Sequence, residues 1–149
     1  VIGETLIVND VVVYDIFERM DDPIAALKHY QSSNGYSWIK SPLPPNTRFA
    51  RLASADQDVD FSAFDRLTKI HQAVAADWET GAFAWVAARN QIPWLALRSV
   101  SDLITRHASE TDGEVDLWRS RLERLMGNLL ADLPFYLKEF TQNNCSPQT

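Results

Sequence analysis

Cysteine is almost missing from this sequence: Cys145, in the polar closing stretch TQNNCSPQT, is the only one. A single thiol cannot build an internal disulfide framework, and it fits a reducing compartment. Long apolar runs are also missing, none approaching the roughly 20 residues that a helix needs to span a bilayer. With no basic-then-apolar leader in view, the expectation is a cytoplasmic protein with no membrane partner. Positive charge is scarce: 14 Lys and Arg stand against 20 Asp and Glu, a net charge of -6. The summed field therefore opposes phosphate backbones, and nucleic acid is not an expected partner. Neither a Walker loop nor a Gly-rich dinucleotide fingerprint occurs, and His29, His71 and His107 are not spaced as metal ligands. No cofactor and no metal are expected.

What is present suffices for one domain over residues 1–149, since 46% of the chain is hydrophobic and five Trp can fill a core. Thr5–Val8 and Val11–Phe17 are rich in β-branched and aromatic residues with Asn9 and Asp10 between them, which predicts two short strands or one bent strand. Asp21–Tyr30 reads as a helix opened by Asp22-Pro23. QSSNGYSWIKSPLPPNT, residues 31–47, has loop chemistry and is long for a loop inside a domain. A strand is expected at Arg48–Ser54, and apolar residues at Phe61, Phe64, Leu67 and Ile70 mark one face of a helix. A strand at His71–Ala76, a helix at Thr80–Asn90 and a strand at Ile92–Val100 predict a parallel βαβ unit. Thr111 and Glu114 form a candidate capping box. The helix it opens turns Leu117, Leu122, Leu125, Leu129 and Leu133 to the core, and Pro134 bends or breaks it. Arg119, Arg121, Glu123 and Arg124 read as its solvated face. Residues 141–149 read as a frayed tail.

Two acids occupy telling places in this pattern. Ligands of open parallel sheets bind outside the carboxyl ends of the strands, and Glu79 follows one predicted end while Asp102 follows another. Each has a plain structural reading, Glu79 as a charge favoured by a helix dipole and Asp102 as a loop cap. If their strands are neighbours, both rise into one cleft beside Arg98, Ser99 and Ser101. Paired carboxylates there could serve acid–base chemistry, hydroxyl recognition or Mg²⁺ binding, so spacing alone leaves the chemistry open.

The residue strings narrow it. GETLIVNDVVVYDIF (3–17), VAADWETGAFAWVAARNQIP (74–93) and LALRSVSDL (95–103) resemble the nucleoside phosphorylase superfamily, and within it the bacterial 5'-methylthioadenosine/S-adenosylhomocysteine nucleosidases. The second string is similar to the acidic-Met-Glu-Ala-Ala helix start of that family, and the third to its apolar-Arg-x-x-Ser-Asp signature. The resemblance implies a three-layer α/β/α fold with a mostly parallel central sheet, and it implies that Glu79 takes hydrogen bonds from ribose hydroxyls. It makes Asp102 the donor of a proton to purine N7, a role that needs surroundings unfavourable to its charge, such as Trp94, Leu97 and Leu103. Arg98 would then face the sugar or the attacking water, and Ser101 would hold the base or orient Asp102. ASADQDV (53–59) occupies the place of the stretch that reads the adenine edge, with Val59 giving a backbone contact and Asp58 standing where the family has a stacking aromatic. Trp78 replaces a common Met beside the ribose, with an ordinary core or interface indole as its plainer reading.

The same resemblance places VIGETL about a third of the way into the family's pattern, after its water-activating glutamate and its Gly-Ser-Ala-Gly loop. The expectation is the C-terminal two thirds of the fold, with the N-terminal part missing and the first strand left as an unpaired edge that invites association. The implied function is hydrolysis of the N-glycosidic bond of an adenine nucleoside, with a homodimer as the assembly. The alternatives are phosphorolysis, a non-catalytic nucleoside-binding or interaction module, and, more weakly, a Mg²⁺-dependent phosphotransfer site at Asp102 and Glu79.

Overall fold

The computed structural model describes residues 1–111 and 113–144. Its centre is strand β1 (Thr5–Val13), followed by helix α1 (Pro23–Tyr30), the two-residue strand β2 (Ser32–Ser33) and strand β3 (Thr47–Ser54). A 3₁₀ turn (Phe61–Ala63) and a π-helical turn (Arg66–Ile70) lead to strand β4 (Ala75–Asp77). Helix α2 (Thr80–Arg89), strand β5 (Leu97–Ser99) and the long helix α3 (Val115–Asn144) complete the order. None of the described helices is long and apolar enough to cross a membrane.

The run TLIVNDVVV forms one strand because its β-branched residues fit a pleated surface buried on both sides. Its polar interruption is absorbed by a register shift between Val8 and Asp10. Asp10 is then satisfied by Arg51 Nη1 at 2.6 Å and Gln31 Nε2 at 3.0 Å. β1 pairs in parallel with β3 over its whole length, and β3 with β4 at Leu52–Ala75 to Ser54–Asp77. On its other side β1 pairs antiparallel with β5 at Thr5–Ile7 and with β2 at Asp10–Val11. The sheet is mostly parallel, and this is an α/β fold.

Alternation along the strands divides the core in two. Val11 and Leu52 face one cluster with Tyr36, Trp38, Ala84, Ala87, Trp94 and Tyr136. Val12, Tyr14, Ala53 and Ala55 face another with Leu67 and Ala73. The Ala-rich face of α2 lets the helix approach closely, and at Gly81 the approach is tightest. A Cβ there would stand 2.8 Å from both Ser54 Cβ and Val13 Cγ2.

Several expectations are corrected. The opening strand is no free edge: β1 is hydrogen-bonded on both sides. No parallel βαβ unit spans residues 71–100, because β5 joins β1 in the antiparallel sense instead of lying beside β4. The strand expected at Ile92–Val100 shrinks to Leu97–Ser99, after Gln91 takes a φ of 56° and Pro93 removes a donor. The strand expected at His71–Ala76 begins only at Ala75, since Gln72 has a φ of 53°. The expected helix at 61–70 is a 3₁₀ turn and a π turn, closed by His71 N to Arg66 O at 3.1 Å.

Pro134 lies inside α3 without ending it, and Thr141–Asn144 are helical instead of frayed. The remainder of the expected tail, 145–149 with Cys145, lies outside the described residues. Leu125 is buried on α3, Leu117, Leu129 and Leu133 are half-buried, and Leu122 is exposed. At the start of that helix Glu114 N donates to the carbonyl of Thr111 at 2.9 Å, a turn bond in place of the side-chain exchange of a capping box.

The 31–47 segment is built into the core. Tyr36 Oη donates to Val8 O at 2.8 Å and accepts from Ala96 N at 3.3 Å, and burial pushes its phenol well above the usual range. Glu139 of α3, buried at 4% exposure, accepts from Lys40 N at 2.6 Å, Ser41 N at 3.1 Å and Ser41 Oγ at 2.6 Å. Asn143 Nδ2 holds Trp38 O at 2.9 Å. These anchors fasten the segment to α3.

Candidate functional site

β4 delivers the chain to a sharp junction where Asp77 ends the strand and Thr80 begins α2. Glu79 stands at the cap position of α2 but makes no side-chain capping bond. Asp77 supplies one instead, accepting from Thr80 N at 3.2 Å and from the Thr80 hydroxyl. The same carboxylate accepts from Ser54 Oγ at 2.9 Å, and Ser54 Oγ accepts from Gly81 N at 3.0 Å. One half-buried acid thus satisfies the helix start and locks it to the end of β3.

Arg98 reaches this junction from β5. Its Nε lies 2.7 Å from Asp77 Oδ2 and 2.9 Å from Thr80 Oγ1, while its Nη2 donates to Glu79 Oε2 at 3.0 Å. The Asp77 side chain is 12% exposed and that of Glu79 is 67% exposed. The two ion pairs therefore differ in kind: the inner one is fixed by several charge-assisted bonds, whereas the outer one is a solvated pair worth about 0–1 kcal/mol. Glu79 keeps acceptor capacity for a ligand because a carboxylate has about four lone-pair sites.

An open cleft of about 340 Å³ lies beside this constellation. Glu79, Thr80 and Arg98 form its polar side, and Phe83, Leu95, Ala96 and Leu97 its apolar wall. This volume sits at the lower end of the roughly 300–1,000 Å³ seen for small-molecule sites. The arrangement can hold the hydroxyls of a ligand against a carboxylate and a guanidinium while a flat apolar part rests on the wall. Among the described residues no three His, Cys, Asp or Glu side chains gather as a metal ion would require.

The structure brings Glu79 and Arg98 together on one cleft. Asp102, Ser101, Trp78, Val59 and Asp58 do not line the cleft. The carboxyl end of β5 runs beside the start of β1, with Ser99 opposite Thr5 and Val100 N bonded to Glu4 O at 3.0 Å. β4 ends beside Ser54, the partner of Val13, and Arg98, which stands opposite Leu6, reaches Asp77 there. Asp102 is half-buried and accepts from Ser101 Oγ at 2.6 Å. Trp78 is 56% exposed. Val59 packs against the second core cluster, and Asp58 is exposed. Of the apolar neighbours expected around Asp102, Trp94 is buried in the main core and Leu103 is exposed.

Sequence reasoning missed Asp77 as the organiser of the site. The signal was in the string ADWETG, whose first acid precedes Glu79 by two residues and so ends the strand as a side chain facing the helix start.

The whole arrangement can be set beside known proteins. A family model described as the phosphorylase superfamily matches residues 45–133. The fold is similar to that of 5'-methylthioadenosine nucleosidase from Arabidopsis thaliana in apo form, at a TM-score of 0.67 and 22% identity, covering 99% of this chain and 57% of that one. It is similar also to 5'-methylthioadenosine/S-adenosylhomocysteine nucleosidase from Helicobacter pylori bound to butyl-thio-DADMe-Immucillin-A, at a TM-score of 0.69 and 19% identity, covering 93% and 62%. Futalosine hydrolase of Helicobacter pylori gives a TM-score of 0.60 at 20% identity, covering 83% and 55%. The chain thus spans little more than half the length of these solved proteins. No curated protein matches it.

Proposed function

The chain belongs to the phosphorylase superfamily, and on that premise we propose that it carries the nucleoside-binding part of an enzyme that hydrolyses the N-glycosidic bond of an adenine nucleoside. The substrate class is that of 5'-methylthioadenosine and S-adenosylhomocysteine. The observation that carries this reading is the pairing of Glu79 with Arg98 at the mouth of a cleft whose remaining wall is apolar. Glu79 accepts the ribose hydroxyls and so fixes the sugar, Arg98 faces the sugar and the incoming water, and the purine lies along Phe83 and Leu97. Water adds to C1' as the C1'–N9 bond breaks and gives up one proton to the solvent. The electron pair departs with the base, and Asp102 returns a proton to N7 so that adenine leaves neutral. Ser101 orients Asp102, while Trp78, Val59 and Asp58 contact the substrate from the rim.

In this reading the chain is the C-terminal two thirds of the fold, and the solved relatives hold further length that it does not cover. The assembly is a homodimer, the ligand a small adenine nucleoside and the location cytoplasmic. The test is adenine release from 5'-methylthioadenosine with and without phosphate. Release in phosphate-free buffer, reduced at least tenfold by Glu79→Gln, is expected, since one positioned group is worth about 10²–10⁴ in rate. Strict dependence on phosphate refutes hydrolysis in favour of phosphorolysis.

One observation favours a second reading, a nucleoside-binding module without turnover: Asp102 does not line the cleft that Glu79 and Arg98 share. Saturable adenine-nucleoside binding abolished by Glu79→Gln, with no adenine released, decides for it.

A further inference from the structure

Arg121 departs from the solvated helix face on which it was expected. Its neighbour Arg119 has a side chain 69% exposed, whereas that of Arg121 is 16% exposed. Arg121 points from α3 onto the segment that carries Asp102. Its Nη1 donates to Ser101 O at 3.1 Å and its Nη2 to Glu110 Oε1 at 2.7 Å. Those two partners are the first and last residues of a closed excursion. Within it Glu110 N bonds Leu103 O at 3.0 Å, Ile104 bridges Ser109, and Thr105 N bonds Ala108 O at 2.8 Å. Inside the same excursion, Ser101 Oγ donates to Asp102 Oδ1.

We propose that Arg121 is a positioning residue for Asp102: clasped by Glu110, its guanidinium ties both ends of the 101–110 segment to α3 and fixes where the Asp102 carboxyl stands. The proposal rests on the reading of Asp102 as the group that protonates the departing base. A planar guanidinium suits the task, because its fork reaches a carbonyl and a carboxylate at once, which an ammonium cannot do in the same fixed geometry. Glu110 has a second effect. It is the hydrogen-bonded partner that holds the cation, with Asp102 a more distant charge, and together they raise the guanidinium pKa further above its ordinary value. A cation bound directly to Asp102 would favour the charged carboxylate, so the Glu110 bond keeps Arg121 employed elsewhere.

The experiment compares wild type with Arg121→Met, Arg121→Lys and Glu110→Gln, using Arg119→Met as the surface control. Amide hydrogen exchange is followed by mass spectrometry over 101–110 and over β1. In parallel, adenine release from 5'-methylthioadenosine is compared with nitrophenolate release from a nitrophenyl riboside, whose leaving group needs no proton. Arg121→Met is expected to lose about tenfold of the protection over 101–110 and none over β1. It should lose about tenfold or more in adenine release while nitrophenolate release changes by less than about threefold. Arg121→Lys recovers part of the loss. Should Arg121→Met fail to fold, Glu110→Gln opens the same clasp from the other side and is expected to show the same pattern.

Unchanged exchange over 101–110, or an equal fall for both substrates, overturns the proposal. If wild type cleaves neither substrate, the nucleosidase reading fails, and the exchange comparison alone decides whether Arg121 holds the segment.

Discussion

Replacing Asp77 by Asn removes one charge and almost no volume from the centre of the site. The carboxylate accepts from Ser54 Oγ, Thr80 N and the Thr80 hydroxyl and forms an ion pair with Arg98, whose Nε donates to Thr80 Oγ1. Asparagine keeps one acceptor oxygen, which can still serve the helix start, but it turns its amide N–H groups toward the Arg98 guanidinium. The main loss is a charge-assisted bond, about 1.5–3 kcal/mol. Partial solvation of Arg98, at 37% exposure, keeps the figure near the lower half of that range. Urea unfolding followed by Trp fluorescence is the assay. With a slope of about 2 kcal/mol per M, the midpoint should fall by about 1 M with the slope unchanged. Arg98→Met and the double variant complete a cycle in which a coupling of about 1 kcal/mol or more is expected between Asp77 and Arg98. Glu79→Gln, which breaks only the outer pair, should cost less than about 1 kcal/mol. An Asp77→Asn midpoint indistinguishable from wild type, or strict additivity with Arg98→Met, would refute the role of Asp77 as the organising acid.

Two further outcomes follow from the packing. Gly81→Ala gains helix propensity worth about 1 kcal/mol, but its Cβ meets Ser54 and Val13 at 2.8 Å. The overpacking cost of about 1–3 kcal/mol should win, lowering the urea midpoint; a rise would show that α2 can lift off without penalty. Glu139 is the third. The Ser41 hydroxyl, the Lys40 N–H and the Ser41 N–H hold its carboxyl below the ordinary value of 4.5. Its contribution to stability is therefore complete above about pH 4.5 and is lost as pH falls through the lowered folded value. Glu139→Gln should shrink the acid limb of the stability profile, leaving the share of the other lowered carboxyls such as Glu4 and Glu110, and shift Trp38 emission; an unchanged limb would refute the assignment.

Much of this molecule was legible as residues. The β-branched run of β1, the Asp22-Pro23 opening of α1 and the Ala-rich pattern of α2 each act locally, and each yields the expected element, although β1 stops at Val13 instead of Phe17 and α1 starts at Pro23 instead of Asp21. Glu79 and Arg98 could be picked out for the same reason: they flank elements whose type was plain. What could not be read was the direction of β5. Leu97–Ser99 contributes three pairs to β1, and three apolar-flanked residues carry no mark of parallel or antiparallel sense. The expectation of a parallel βαβ unit over residues 71–100 failed on that one unknown. Similarly, Gln72 and Gln91 gave no warning of a left-handed backbone, so both flanking strands were drawn too long. Tyr36, Trp38 and Glu139 add what the loop chemistry of 31–47 left open, since only tertiary contacts reveal that a Pro- and Ser-rich stretch is part of the core.

The place of β1 has a consequence for how the chain is made. Its amino-terminal half finds its antiparallel partner only in β5, so during synthesis β1 cannot complete its hydrogen bonds until Leu97–Ser99 have followed. Until then Thr5–Ile7 present bare donors and acceptors beside an oily flank. Such long-range closure is slow, and an unpaired strand edge left open in the meantime is prone to aggregation.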